Sequence, residues 1–244
     1  MSTKFYGEDL AFLHDAGFTG FAAKAAPYIL KRLRRRCEPG ARVVEIGCGS
    51  GALTQHLTGA GYDVLAVDLS PAMIRLGRAK APGAKFRVAS WYDFAPPPCD
   101  AIVAVGECFN YMRAGTSAHT RAVDAFLRRA GAALRAGGLL LFDFLEPNAH
   151  RPRHRTVRRS GAGWAILVEI AEERRIITRR ISSIRFQVRR PRVSGEIHRQ
   201  LRLSRRQLGR ALQAAGFVVT FQGRYGRMRL AAGQVVAEAI RMFG

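Results

Sequence analysis

Acidic residues are scarce in this chain: 18 Asp and Glu stand against 40 Lys and Arg, a formal charge of +22. Lysine is scarce too, occurring only as Lys4, Lys24, Lys31, Lys80 and Lys85, so the basic excess is arginine. Such a surplus fits a polyanionic partner such as RNA, or an arginine-rich solvated surface. The basic residues are not interleaved with stacking aromatics, which weighs against nucleic acid without excluding it. Only four cysteines occur, Cys37, Cys48, Cys99 and Cys108, and none forms a C-x-x-C pair. They read as reduced thiols of a cytoplasmic protein. His119, His150, His154 and His198 keep no metal-ligand spacing, so no metal is expected. No window approaches the roughly eighteen uninterrupted apolar residues of a membrane-spanning helix. Met1 to Leu13 carries Glu8 and Asp9 and lacks the apolar run of a signal peptide. The expectation is a cytoplasmic protein with no membrane partner, as monomer or homodimer.

What is present is enough to build a core: 244 residues, of which 48% are hydrophobic. Apolar residues at helical spacing predict helices over Asp9 to Gly17 and Ala22 to Arg36. Pro27 is placed in a first turn of the second helix, and Pro39-Gly40 stops it. From Ala41 the pattern alternates. Strands are predicted over Arg42 to Ile46, Asp63 to Val67, Lys85 to Ala89, Ala101 to Val105 and Leu139 to Phe144. Helices are predicted over Ala52 to Gly59, Pro71 to Lys80 with Ser70 as cap, and Ser117 to Arg135 ended by Gly137-Gly138. This alternation predicts an α/β fold, a Rossmann-like, doubly wound, mostly parallel sheet.

After Pro147 the texture changes. Residues 149 to 160 are Arg- and His-rich and read as an exposed loop. Trp164 to Glu172, Arg174 to Val188 and Gly195 to Leu203 alternate with period two, predicting an antiparallel β insertion after the fifth strand. Ser204 caps a helix over Arg205 to Ala215, and Phe217 to Gln222 follows as a strand. Met228 to Phe243 fits either a last strand or a helix, and Gly223 to Gly226 either a turn at the pocket rim or a hairpin. The expected organisation is a helical lid at 1–38, a cofactor-binding domain at 39–148 and 204–244, and the insertion at 149–203.

The sharpest feature is the loop Glu45-Ile46-Gly47-Cys48-Gly49-Ser50-Gly51 between a strand and a helix. Its glycines let the backbone turn tightly and approach a ligand. A dinucleotide site more often shows G-x-G-x-x-G. Here the third glycine comes one residue early, and Glu45 would repel a pyrophosphate but suit an ammonium group. Asp68 ends the second strand 17 residues beyond Gly51, near the roughly 20-residue offset at which an acid meets a ribose diol.

Val44 to Gly51, with Val67-Asp68-Leu69-Ser70-Pro71-Ala72-Met73, resembles the class I S-adenosylmethionine-dependent methyltransferases over about residues 40 to 146. The resemblance implies S-adenosyl-L-methionine as cofactor. It implies contacts to the cofactor from Glu45, Gly47, Cys48, Gly49 and Gly51, ribose binding by Asp68, and adenine cover by Leu69 and Met73. The family often places an Asp on the adenine after the third strand. Here Ser90 stands there, and its hydroxyl or the Trp91 backbone substitutes. Gly106 completes the cofactor set.

The family seats its acceptor over the end of the fourth strand, here Val105 to Met112. That stretch is not the N/D-P-P-Y/F pattern of base and amide methylation. Glu107 and Tyr111 are the catalytic candidates: a carboxylate binds or deprotonates an amine, and a tyrosine orients one or closes over the sulfonium. Both also fit ordinary structural roles. The N-terminal segment is similar to the lid of small-molecule members, sugar and amine N-methyltransferases among them, making Tyr6 and His14 candidates for the acceptor, with Asn110 of the stretch after the fourth strand a further one. The arginines from Arg174 to Arg192 fit an anionic acceptor or a solvated face. The expected function is methyl transfer to N or O of a small-molecule acceptor, N before O. The alternatives are an RNA or protein methyltransferase using the basic surface, and a cofactor-binding protein without methyl-transfer activity.

Overall fold

A computed structural model describes residues 5–147, 153–186 and 190–243. His150 and parts of the expected insertion lie outside the described residues. The chain opens with α1 (Glu8–Gly17) and α2 (Gly20–Leu33), then alternates β1 (Arg42–Ile46), α3 (Thr54–Gly59), β2 (Asp63–Asp68), α4 (Pro71–Lys80), β3 (Lys85–Val88) and β4 (Cys99–Ala104). A short 3-10 turn at Cys108–Asn110 leads to α5 (Thr116–Ala133) and β5 (Leu134–Leu145). Four strands follow: β6 (Arg153–Gly161), β7 (Trp164–Glu172), β8 (Ile176–Arg185) and β9 (Arg192–Leu201). The chain then returns through α6 (Arg205–Ala214), β10 (Phe217–Gln222), a hairpin of β11 (Arg224–Tyr225) and β12 (Met228–Arg229), and β13 (Gln234–Arg241).

The main sheet has the order β10-β13-β5-β4-β1-β2-β3. Its first five strands in chain order run parallel, and β13 and β10 add on antiparallel. The middle strands are buried on both faces because helices cover both: α5 and α6 pack on one side with Phe126, Leu127, Leu208 and Leu212, and α2 and α3 on the other with Ile29, Leu33, Leu53 and Leu57. The architecture is therefore a Rossmann-like, mostly parallel α/β sheet. The remaining strands form a separate antiparallel sheet, β6-β7-β8-β9.

Several local expectations are corrected or resolved. Pro27 lies in the middle of α2, not its first turn; the helix continues because Ala25, Ala26, Ile29 and Leu33 bury its apolar side. The long helix ends at Ala133, and Gly137-Gly138 lie inside β5. There the β4–β5 register is irregular between Cys99 and Ala101. A Cβ on Gly138 would sit 2.8 Å from the Arg135 carbonyl oxygen, so the bulge requires glycine. Residues 153–161 are a strand, although their side chains are mostly exposed. Backbone pairing to β7 holds them, and such pairing leaves no apolar alternation to read. The last apolar segment is the strand β13, sandwiched between β5 and β10, and Arg224–Arg229 is a hairpin.

Helix α1 bridges the two sheets. Leu10 and Leu13 pack with Trp164, Ile166 and Ile181 of the antiparallel sheet, while Ala11 packs with Ala72 and Met73 of α4. The Ser70 hydroxyl has two tasks at this junction. It caps α4 by accepting from the Met73 amide at 3.1 Å and donates to the Tyr6 carbonyl at 2.6 Å. Replacing Ser70 with Ala is expected to lower stability by about 1–2 kcal/mol, with Ser70→Thr retaining most of it. Urea unfolding midpoints at constant slope test this.

Candidate active site

A cavity of about 540 Å³ opens where β1, β2 and β4 end, and it reaches under α1 to the inner face of the antiparallel sheet. Ligand sites of open α/β sheets sit at these strand ends, and the volume is that of a site for a small organic ligand.

The glycine loop forms one end. Gly47 has φ +67, and a Cβ there would lie 2.4 Å from the Cys108 sulfur, so no side chain fits. Cys108 wedges beneath the loop, its thiol 3.4 Å from the Ile46 and Val105 carbonyls. Burial pushes both the Cys48 and Cys108 thiols well above their usual range, so they remain protonated. Gly51 does not line the cavity; it faces α4, where its Cβ would come within 3.1 Å of the Gly77 backbone.

Two carboxylates face this end. Asp68 accepts from the Gly49 amide at 2.9 Å and the Ser70 amide at 2.8 Å. Each oxygen keeps a lone pair for a ligand hydroxyl. Burial raises its pKa, against the lowering pull of these amides. Glu45 accepts from the Thr54 hydroxyl at 2.6 Å and is pushed up to about 8, mainly by burial. Among the described residues neither acid has a cationic partner. Leu69, Met73, Cys48, Ser90, Trp91 and Gly106 line the same space. Trp91 is edge-on to Phe109, His119 and Phe126, anchored in the core.

The other end gathers Tyr6, Tyr111, Glu107, Arg179 and His198. The Tyr6 and Tyr111 hydroxyls are 3.0 Å apart, and burial keeps both phenols protonated by raising their pKa. Glu107 takes a left-handed backbone, φ +63, held because the Asp143 carboxylate accepts from the Gly106 and Glu107 amides at 2.8 and 2.7 Å. Its own carboxylate accepts from Gln200 at 3.0 Å and Arg179 at 3.5 Å. His14 lines the cavity between these ends, its pKa lowered to about 4 by burial, so it is neutral at pH 7. Asn110 does not line it. It is fully buried, donating to the Leu145 and Leu201 carbonyls and accepting from the Leu145 amide, which ties the ends of β5 and β9 together.

Sequence reasoning missed Asp143, Arg179, His198 and Glu196. A lone acid inside the apolar run Leu139 to Leu145 was the available signal for Asp143. Arg179 stood undistinguished among exposed arginines; only the pleat of β8 turns it inward while Arg180 faces out. Glu196 accepts from the Tyr6 and Gly7 amides, both at 2.7 Å, and bonds His198 at 2.8 Å. No sequence pattern announces that long-range pairing. Among the described residues no group of three or more His, Cys, Asp or Glu could hold a metal, and no helix is long and apolar enough to cross a membrane.

Residues 18–222 match the family described as a methyltransferase domain. The chain belongs to that methyltransferase-domain family. It is similar to a ubiquinone biosynthesis O-methyltransferase of Methylobacterium sp. (strain 4-46), 37% identical over 101 residues, 41% of this chain and 39% of that protein. A Xanthomonas axonopodis pv. citri (strain 306) protein of the same name is 29% identical over 151 residues, 60% of this chain and 56% of its own length. The matched stretches thus span about two fifths to just over half of these curated relatives. Among solved structures, a S-adenosylmethionine-dependent methyltransferase from Clostridium acetobutylicum ATCC 824 superposes with TM-score 0.78 at 13% identity, covering 96% of this chain and 98% of that one. An amino pentose methyltransferase from Micromonospora echinaspora, solved with S-adenosylmethionine bound, gives 0.73 at 18% identity, covering 99% and 100%. These structural likenesses are likenesses of fold.

The raised pKa of Glu45 gives a measurable consequence. At pH 7 a group titrating at about 8 is mostly protonated. A ligand ammonium placed beside it would favour the charged carboxylate, and its binding would release a proton. Calorimetry of S-adenosylhomocysteine binding in buffers of different ionisation enthalpy is expected to show this release, which Glu45→Gln abolishes. By linkage, an acid whose folded pKa lies above its unfolded value favours folding below that unfolded value, and the advantage is lost as pH rises through about 8.

Proposed function

We propose that the protein transfers a methyl group from S-adenosyl-L-methionine to N or O of a small-molecule acceptor. The observation that carries this is the pair Glu45 and Asp68, two carboxylates without cationic partners among the described residues, opening on the same cavity as Glu107 and Tyr111. Burying acids without counter-charge is costly unless a ligand brings the charge. A ligand with an ammonium, a sulfonium and a ribose diol meets that requirement. The glycine loop leaves room for it: at Gly49 a Cβ would meet nothing within 4 Å.

In this reading Glu45 pairs with the amino-acid ammonium and Asp68 accepts from the ribose hydroxyls. Leu69, Met73, Ser90 and Trp91 enclose the base. The bound cofactor supplies an electrophilic methyl on a good leaving group. The protein's task is then to place the nucleophile in line and exclude water. Glu107, steadied by Arg179 and Gln200, holds the acceptor and takes its proton where one must leave. Tyr111 and Tyr6, kept as neutral phenols, orient it. The helical segment up to residue 38 acts as the lid, residues 39–148 and 204–244 as the cofactor-binding domain, and 149–203 as the acceptor-side insertion.

Asp68→Ala is expected to weaken S-adenosylmethionine binding by about 1–3 kcal/mol, the scale of lost charged hydrogen bonds. Calorimetry showing unchanged affinity removes the ribose role. Glu107→Gln is expected to spare cofactor affinity and lower turnover; wild-type turnover in that variant takes Glu107 out of catalysis.

A further inference from the structure

The acceptor half of the cavity is walled by hydrocarbon. Alternate residues of β7, Ile166, Val168 and Ile170, point inward beside Ile181 of β8. Leu10 and Phe18 face them from the first helical segment. Each of the two arginines that line the cavity has an acidic neighbour. Arg179 lies 3.5 Å from Glu107, and Arg113 lies 4.0 Å from Asp93 and over the Tyr92 ring. A diphosphate or a carboxylate would therefore meet arginines whose charge an acid already offsets, and a polyol would leave the hydroxyls that face Ile166 and Val168 unpaired.

The polar floor selects the head group. Glu107 offers an acceptor and Arg179 a donor, and the Arg179 Nε is buried with no partner among the described residues. A group between them must both donate and accept, which an ammonium, having no lone pair, does not. A neutral hydroxyl does both.

Resting on the methyltransferase reading above, we propose that the acceptor is an amphipathic alcohol or phenol. Its apolar ring or chain lies against Ile166, Val168 and Ile181, and its single hydroxyl sits between Glu107 and Arg179. Transfer to that oxygen forms one C–O bond, breaks the S–CH3 bond with its electron pair left on sulfur, and passes the hydroxyl proton to the Glu107 carboxylate.

Isothermal titration of the full chain, first with S-adenosylhomocysteine and then of the saturated protein with para-pentylphenol or thymidine diphosphate, tests this. The phenol is expected to bind and the diphosphate not. Val168→Glu is expected to weaken phenol binding by about tenfold or more, the scale of losing one apolar contact, with S-adenosylhomocysteine affinity unchanged as proof of folding. Phe18→Ala, on the opposite wall, is expected to act in the same direction should Val168→Glu not fold. Binding of S-adenosylhomocysteine together with the diphosphate but not the phenol overturns the proposal and leaves the methyltransferase reading standing. Phenol binding indifferent to both substitutions also overturns it. No binding of S-adenosylhomocysteine overturns the methyltransferase reading itself, and the acceptor proposal with it.

Discussion

Two carboxylates held at the ends of neighbouring parallel strands constrain the rest of this molecule. In the β1–β2 register Ile46 stands beside Val67, so the turn after β1 and the last residue of β2 meet at one end of the sheet. Asp68 then organises the turn itself, accepting from Gly49 and Ser70. Glu45 is stranded one step back, with Thr54 as its hydrogen-bond donor. Moving two acids out of water without a counter-charge opposes folding. A parallel sheet covered on both faces supplies the apolar burial that holds them there.

The covering of the cavity depends on fewer contacts. Glu196 accepts the Tyr6 and Gly7 amides, and Ser70 bonds the Tyr6 carbonyl, so one short stretch of backbone is held from two sides. Around it run ion pairs of Glu8 with Arg75, Asp9 with Arg192 and Asp15 with Lys80. The exposed ones contribute little. Packing of Leu10 and Leu13 against Trp164 contributes more, because it removes apolar surface from water.

The arginine excess divides along similar lines. Arg202 is buried and bonded to Glu172 and the Glu146 carbonyl. Arg241 bonds the Gly131 and Gly216 carbonyls, and Arg129 those of Trp91, Tyr92 and Phe94. These guanidinium groups stitch chain segments together through their several fixed donors.

The alternating strands and helices, the Ser70 cap and the glycine loop were legible in the sequence, because each rests on interactions within a few residues or on a periodicity. The placement of Glu45 and Asp68 at the end of the loop was legible for the same reason: they sit at fixed offsets from glycines that only a tight turn explains. The acceptor half was not. Asn110 stands in the segment where an acceptor contact was expected, yet its partners are Leu145 and Leu201 backbone groups, far along the chain. Arg179 and His198 enter through the pleat of strands whose register is fixed by pairing, and Tyr6 is brought to Tyr111 across more than a hundred residues. Local composition decides what a segment becomes. Which side chains then share one cavity is decided by packing between distant segments, and that information exists only in the folded chain.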